Sequence, residues 1–142
     1  MTLTVVVDTN VLIAALRSPD GINRRVVRAL AEGKATPLIG DKLALEYLSV
    51  CERPEILSGC PLSSDERHTF FQDFLSLCRW VRVYYLWRPN LSDESDNHVI
   101  ELALAGGAAR VVTNNRGDFQ RGELRFPDVK VVTPHEFWEE LK

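Results

Sequence analysis

The chain has 142 residues, of which 45% are hydrophobic and 26% are charged, and its formal net charge is −3. This length fits one compact domain, which we expect to span residues 1–142, and the balanced composition excludes a disordered tail, a collagen-like fibre and a low-complexity linker. No block of the sequence is strongly basic. Nucleic-acid binding by bulk electrostatics alone is therefore disfavoured, but a nuclease is not, because a bound metal would offset the charge of its carboxylates.

Nothing in the sequence indicates a membrane protein or a secreted protein. No apolar run approaches the roughly 20 residues that span a bilayer, and the first residues contain neither a basic segment nor a cleavage site. The three cysteines, Cys51, Cys60 and Cys78, are odd in number and have no C-x-x-C spacing. Free thiols are therefore favoured over disulfides or a zinc ribbon, and we expect a cytoplasmic protein.

Short strand-like runs alternate with helical stretches along the chain. In the first half, the pattern predicts a strand over 3–7, helices over 10–16 and 22–32, a strand over 37–40 and a helix from an Asp41 N-cap to about residue 53. In the second half, it predicts a helix that begins at 63–66, a strand over 80–87, a helix from 95–96 to 106–107, strands over 110–113 and 129–133, and a helix over 134–141. This alternation predicts a three-layer α/β/α sandwich around a central, mainly parallel sheet of four to five strands.

Acidic residues follow predicted strands, or begin helices, at one edge of this sheet. Asp8 follows the first strand, Glu46 lies in the helix after the second, and Asp96 begins the helix before the fourth. Asp118 lies in the loop after the fourth strand, and Asp93 competes with Asp96 for the third position. Because ligands bind beyond the carboxyl ends of parallel strands, near the point where strand order reverses, we expect the acids to converge there.

A cluster of carboxylates favours a hard divalent cation. Like charges a few ångströms apart raise one another's pKa, and a cation offsets their repulsion. Mg²⁺ prefers oxygen ligands and binds through a few carboxylates together with a substrate phosphate. In phosphodiester hydrolysis such a cation positions the phosphate, lowers the pKa of a water molecule and stabilises the leaving oxygen. The acids therefore suit a nuclease.

Four segments resemble, in order and at suitable spacing, the motifs of the PIN domains, the PilT N-terminal family of ribonucleases. They are the strand and acid at 6–12 (VVDTNVL), the glutamate helix at 43–48 (LALEYL), the third acidic segment at 93–103 (DESDNHVIELA) and the T-x-N-x-x-D-F element at 111–119 (VVTNNRGDF). Each motif is weak alone, whereas four in register are specific. The chain is most similar to bacterial toxin-like PIN proteins related to the VapC toxins of toxin–antitoxin pairs.

This resemblance implies an endoribonuclease that depends on Mg²⁺ or Mn²⁺ and cleaves RNA by attack of water on phosphorus. It implies that Asp8, Glu46 and Asp96 hold the metal and that Asp118 is the fourth acid. It also implies an antitoxin protein as partner, and relatives often form homodimers. The sequence departs from many relatives at Asn115, where they have an acid. Either Asp118 substitutes for that acid or a second metal binds weakly.

Neighbouring residues have supporting roles on the same interpretation. Asn10 and Thr113 would orient the carboxylates, with Asn115 beside them, and Arg116 is a candidate for binding a substrate phosphate. Each of the four acids also has a purely structural alternative. Asp8 could be a turn residue and Glu46 a solvated helix residue. Asp96 could be a helix N-cap and Asp118 a loop residue.

Basic, aromatic and histidine side chains leave further interpretations open. Arg24, Arg25 and Arg28 suit a phosphate backbone or an acidic partner, or they form a solvated helix face. The four aromatic residues of the strand over 80–87 could stack bases, although aromatic residues in a strand more often pack or form a subunit contact. The three histidines, among them His98, have no ligand spacing, and we interpret them as surface or capping residues.

Other classes of function remain as alternatives. A Rossmann-like phosphatase or nucleotide-binding domain needs a glycine-rich loop after the first strand, where this chain has DTNVL at 8–12. A catalytically degenerate PIN scaffold for protein association is a second alternative, with Asn115 as a sign of decay. A PIN nuclease of RNA processing is a third. Binding of Mn²⁺ separates a nuclease from a scaffold, and a neighbouring antitoxin gene separates a toxin from a processing enzyme.

Overall fold

The computed structural model describes residues 3–53, 58–83, 97–115 and 129–142. Within these ranges the strands are β1 (Leu3–Val7), β2 (Ala35–Ile39), β3 (Arg79–Trp80), β4 (Arg110–Val112) and β5 (Lys130–Val132). The helices are α1 (Thr9–Arg17), α2 (Ile22–Ala31), α3 (Asp41–Cys51), α4 (Ser64–Leu77), α5 (Asn97–Gly106) and α6 (Pro134–Leu141). None of these helices is both long enough and apolar enough to cross a membrane.

The described strands form one parallel sheet with the order β3-β2-β1-β4-β5. β1 lies at the centre and pairs with β2 on one side and with β4 on the other, so that Val7 lies opposite Val112. Along the chain, β2 and β3 add to one side of β1, and β4 and β5 then add to its other side. Strand order therefore reverses between β1 and β4, which is where a parallel sheet opens a crevice for ligands.

Helices pack on this sheet to give the predicted three-layer α/β/α sandwich. Val5, Val6 and Val7 have no exposed surface, as expected for a β-branched strand that is covered on both faces. α5 packs against β1, β2 and β4, while α2 packs against α1 and α6. The largest fully buried side chains come from helices: Tyr47, Phe71, Phe74 and Phe137. The core is therefore continuous around the strand that leads to the predicted site.

Two helices end at the glycines that the sequence indicates. Gly33 follows the C-cap of α2 and has a φ of +81°, and Gly107 follows α5 with a φ of +68°. An L side chain rarely adopts this backbone conformation, so glycine at these positions allows the chain to leave the helix and turn toward the next strand. The chain enters β2 and β4 directly after these turns.

Two predicted boundaries are wrong. Gly40, and not Asp41, is the N-cap of α3; Asp41 is the first helical residue, where its charge still favours the positive end of the helix. The strand predicted over 80–87 is only Arg79–Trp80 within the described residues, and 84–87 lie outside them. β3 is an edge strand whose neighbour β2 ends at Ile39, so after the bond from the Val81 amide to the Ile39 carbonyl there is no further strand to pair with.

Two of the three cysteines are free thiols, as predicted. Cys60 and Cys78 form no disulfide. Burial raises the pKa of the Cys78 thiol to about 12, so this thiol remains protonated at neutral pH. A buried, protonated thiol is unreactive and contributes to packing.

The start of α4 provides a test of a predicted helix boundary. Ser63 Oγ accepts a hydrogen bond from the Glu66 amide at 3.2 Å, and Glu66 Oε1 accepts one from the Ser63 amide at 2.9 Å, which is a capping box. Ser63→Ala removes the first bond and should lower the free energy of unfolding by about 1 kcal/mol. The control Ser64→Ala should change it by less than about 0.5 kcal/mol. Urea denaturation measures both, and equal effects would contradict the capping role.

Candidate active site at the ends of the central strands

Asp8 lies directly after β1, at the point where strand order reverses. Its amide donates a hydrogen bond to the Val112 carbonyl at 2.9 Å, which extends the pairing of β1 with β4 by one residue. Its side chain caps α1, because Oδ1 accepts a hydrogen bond from the Thr9 amide at 2.9 Å. The strand and the helix thus fix the backbone and one carboxylate oxygen, and only 6% of the residue is exposed.

The second carboxylate oxygen of Asp8 is held by two polar side chains. Oδ2 accepts hydrogen bonds from Thr113 Oγ1 at 2.8 Å and from Asn10 Nδ2 at 3.2 Å. Thr113 directly follows β4 and is fully buried, whereas Asn10 lies in the first turn of α1. Because Thr113 is 105 residues away in the sequence, this contact forms only when β1 and β4 pair.

A network of asparagines extends from this carboxylate to the loop after β4. Asn10 Oδ1 accepts a hydrogen bond from the Asn114 amide at 3.1 Å, and the Asn114 side chain donates one to Asn23 Oδ1 of α2 at 3.0 Å. The amide of Asn115, an exposed residue, donates to Thr113 Oγ1 at 3.0 Å. The fold therefore brings the three predicted supporting residues together next to one buried carboxylate.

Glu46 pairs with a histidine where α3 packs against α5. His98 Nε2 lies 2.9 Å from Glu46 Oε2. The histidine side chain is 14% exposed and the glutamate side chain is 42% exposed. His98 is the second residue of α5, near the positive end of that helix, where a carboxylate is favoured. Most neighbours of Glu46 in the sequence are apolar, so that its charge needs a partner or a metal, and His98 is such a partner.

The interpretation of His98 as a surface or capping residue is therefore wrong. Its ring turns inward because the packing of α3 on α5 places it opposite a carboxylate. The other two histidines agree with the prediction. The side chain of His135 is 73% exposed, and His68 Nδ1 lies 2.9 Å from the Ser64 carbonyl, one turn earlier in α4. The position of His98 in the third acidic segment is the signal in the sequence that could have set it apart.

The charges at this edge of the sheet influence one another. Burial raises the pKa of the Asp8 carboxyl and the charge of Glu46 raises it further, whereas the hydrogen bond from Thr113 lowers it. The hydrogen bond from His98 holds the pKa of Glu46 below its usual value, against the effect of burial. Asp8 and Glu46 are thus close enough for their charges to interact.

Tyr47 connects the helix of Glu46 to the strand of Asp8. Its hydroxyl donates a hydrogen bond to the carbonyl of Val7, the last residue of β1. The ring is fully buried and its centre lies 5.8 Å from that of Phe74. Burial raises the pKa of the hydroxyl well above its usual value, so that it remains a hydrogen-bond donor at neutral pH. The relative position of the two carboxylates is therefore set by the core.

The donor set at this edge fits a hard divalent cation. Within the described ranges, no group of three or more acidic, histidine or cysteine side chains forms a complete metal site. Two carboxylates that repel each other are present, however, and the oxygen donors that they offer are the ones that Mg²⁺ and Mn²⁺ prefer. A cation between them would offset the unfavourable burial of their charge.

Four predicted site residues lie outside the described ranges. They are Asp93, Asp96, Arg116 and Asp118. α5 begins with the residue after Asp96, and the described residues stop at Asn115, one residue before Arg116. The structure thus brings together Asp8, Glu46 and their hydrogen-bond partners, while the third and fourth acids remain predictions.

Arg24 has neither of the roles considered for the arginines of α2 from the sequence, which were contact with a phosphate or an acidic partner, and a solvated helix face. Its Nε donates a hydrogen bond to the Ala15 carbonyl at 2.9 Å, and its guanidinium lies 5.3 Å from the centre of the Phe70 ring. The side chain therefore connects α2 with α1 and α4 instead of facing a phosphate or solvent, and its cation–π contact stabilises that packing. Arg25 and Arg28 are exposed.

Comparison with known proteins adds the family. The sequence model of the PIN domain family matches residues 4–117 of this chain. This chain belongs to the PIN-domain family. Among solved structures, it is similar to VapBC2 from Rickettsia felis bound to a DNA fragment from their promoter, with a TM-score of 0.61 and 16% sequence identity over 92% of this chain and 98% of that chain. At this identity the likeness shows a shared fold. No curated protein gives a significant match.

The PIN match includes the described part of the site. It begins in β1 and ends after Asn115, so that it covers Asp8, Glu46 and Thr113. The family identified from the four sequence motifs is therefore confirmed, and so is the parallel α/β fold.

The hydrogen bond from Thr113 to Asp8 can be tested directly. Thr113→Val removes the donating hydroxyl and nearly keeps the side-chain volume. The pKa of Asp8 should rise further, because the lost bond favours the charged carboxylate, and the free energy of unfolding at pH 7 should fall by about 1–3 kcal/mol. Thr113→Ser keeps the hydroxyl and is the control. Carbon-13 NMR titration and urea denaturation measure the two effects, and an unchanged pKa in Thr113→Val would contradict the contact.

Proposed function

We propose that the protein is an endoribonuclease that depends on Mg²⁺ or Mn²⁺ and hydrolyses phosphodiester bonds of RNA. The observation that supports this most is the buried Asp8 carboxylate, which has donors on both oxygens and the charge of Glu46 nearby. Burial of a carboxylate is unfavourable unless it is compensated. Its presence at the switch point of a parallel sheet, in a PIN domain, favours a cation-binding role over a purely structural one.

Four acids would hold the cation on this proposal. They are Asp8, Glu46, Asp96 and Asp118, one from each of the family motifs in the sequence. When bound, the cation would lower the pKa of a water molecule and balance the charge of the scissile phosphate. Asn115 is neutral and cannot supply a fourth negative charge, and we therefore assign the fourth position to Asp118.

The other residues act by holding oxygens in place. Thr113 and Asn10 donate to Oδ2 of Asp8, and the Thr9 amide donates to Oδ1, so that the carboxylate keeps one orientation before any substrate arrives. This pre-organisation reduces the entropy that is lost when substrate and cation bind. We assign Arg116 to a phosphate of the RNA, because a guanidinium can form two parallel hydrogen bonds with phosphate oxygens.

We further propose that the protein is the toxin of a toxin–antitoxin pair and acts in the cytoplasm. Two observations support this: the sequence motifs resemble those of VapC-like toxins, and the fold is shared with VapBC2 of Rickettsia felis. An antitoxin and a second copy of the chain, as in a homodimer, are the proposed partners. Exposed apolar side chains offer surface for such contacts: Leu45, Leu48, Trp80 and Leu104.

Replacement of the buried acid tests the proposed activity. Asp8→Asn removes the charge but keeps the shape, so RNA cleavage in the presence of Mn²⁺ should fall by about a factor of 100 or more, because a direct ligand is lost. The circular dichroism spectrum should be unchanged. Asp73→Asn, at an exposed position of α4, is the matched control and should cleave like the wild type.

Calorimetry with Mn²⁺ on the same variants separates the alternatives. A nuclease requires that the wild type and Asp73→Asn bind Mn²⁺ and that Asp8→Asn binds it much more weakly. A wild-type protein that neither binds Mn²⁺ nor cleaves RNA would instead be a degenerate scaffold. Full cleavage by purified Asp8→Asn would exclude the role proposed for Asp8.

The affinity for Mn²⁺ should depend on pH through Asp8. A cation requires the deprotonated carboxylate, and the pKa of Asp8 is raised. Protons therefore compete at a higher pH than at a solvent-exposed aspartate, whose pKa is about 3.9. Affinity should therefore fall as the pH drops toward the raised pKa of Asp8. Calorimetry at several pH values measures this, and an affinity that stays constant down to about pH 4 would be inconsistent with a raised pKa.

A further inference from the structure

The contact between His98 and Glu46 has no role in the function proposed so far. We propose that His98 is a positioning residue for the cation site: its hydrogen bond to Oε2 of Glu46 orients this carboxylate toward the ion. This inference rests on the proposed function. It concerns a side chain that supplies no negative charge and that lies in the third acidic segment, as the second residue of α5.

The geometry of the pair is that of a directed hydrogen bond. Nε2 of His98 lies 2.9 Å from Oε2 of Glu46, and the nitrogen that faces the carboxylate is the one that carries the donated proton. The ring is almost covered, and its Nδ1 is buried without a hydrogen-bond partner within the described ranges. The buried residues Val99, Leu102 and Ala103 fix α5 in the core. The ring of His98 is therefore more enclosed than the glutamate side chain that it contacts.

Glu46 needs such a donor more than Asp8 does. The carboxylate of Asp8 is fixed by its own backbone cap and by two side chains. The side chain of Glu46 is longer than that of Asp8 and is partly exposed. It therefore loses more rotamers than Asp8 when it binds an ion. A hydrogen bond to one oxygen selects one rotamer in advance. Carboxylate ligands of metal ions are generally supported by such bonds.

A direct ligand role for His98 predicts a different result. Two ligands that each lie about 2.1 Å from an ion at adjacent corners of an octahedron are also separated by about 3 Å. The distance alone therefore does not distinguish a donor from a ligand. Mg²⁺ and Mn²⁺ prefer oxygen, whereas imidazole suits zinc, copper, iron and nickel. With carboxylates as the neighbouring groups, the chemistry favours the donor.

Substitution of His98 tests the proposal through Mn²⁺ binding to the whole chain, measured by isothermal titration calorimetry without RNA. His98→Leu cannot donate and should weaken Mn²⁺ binding about 10- to 100-fold. His98→Gln places an amide donor near the position of Nε2 and should restore most of the affinity. His98→Asn is one carbon shorter, cannot reach Glu46 and should resemble His98→Leu. If His98→Leu does not fold, the comparison of Gln with Asn decides.

Two controls isolate the hydrogen bond from charge and packing. Arg53 is exposed and acts on Glu46 only through its charge. Arg53→Gln should not weaken Mn²⁺ binding, because it removes a positive charge near the ion. In a Glu46→Gln background, His98→Leu should have no further effect, since its target carboxylate is already absent. Thermal unfolding of each variant identifies losses that arise from a destabilised fold.

Each contrary result has a specific meaning. Equal affinity of His98→Leu and the wild type would overturn the positioning role and leave the proposed nuclease intact. Stronger binding in His98→Leu would show that His98 competes with the ion as a positive charge, which also overturns it. An equal loss in His98→Gln and His98→Leu would indicate a direct ligand. Absence of Mn²⁺ binding in the wild type would overturn both this inference and the proposed function.

Discussion

The carboxylate of Asp8 is almost fully removed from water, and the surrounding protein has to compensate its charge. Three hydrogen-bond donors surround it. Two come from the start of α1, the backbone amide of Thr9 and the side chain of Asn10, and the third is the hydroxyl of Thr113 after β4. None of these donors is positively charged, so the pKa of Asp8 stays raised. The site therefore has a fixed geometry and an incompletely compensated negative charge, which is the combination that attracts a cation.

The topology of the sheet places these groups together. β1 and β4 are neighbours, and strand order reverses between them, so the residues that follow each strand meet at one edge. The second carboxylate, that of Glu46, comes from a helix on the β2 side and is tied to the end of β1 by the hydroxyl of Tyr47. Packing of the core thereby sets the distance between the carboxylates of Asp8 and Glu46.

The sequence predicted the features that depend on local pattern. The valine run of β1, the glycines after α2 and α5 and the acid directly after β1 all follow from composition and position along the chain, and the motifs identified the family. Two contacts between distant elements were missed. His98 meets Glu46 across 52 residues, and Arg24 turns inward because α2 lies against α1 and α4. Hydrophobic periodicity contains no information about which polar side chains face each other once helices pack. The edge strand β3 was predicted too long for a related reason, since the length of a strand depends on its neighbour.

The hydrogen bonds that link Asp8 and Thr113 to the sheet also affect how the molecule opens. The amide of Asp8 is bonded to Val112 and that of Thr113 to Val132, so both belong to the ladder of the central strands. Amides of this kind exchange with solvent mainly when the whole domain unfolds, whereas those of exposed loops exchange through local fluctuations. Local fluctuations of exposed loops will therefore leave Asp8 and Thr113 paired with their neighbouring strands. If the protein rearranges when a substrate enters, other segments must move while Asp8 and Thr113 keep their positions in the sheet.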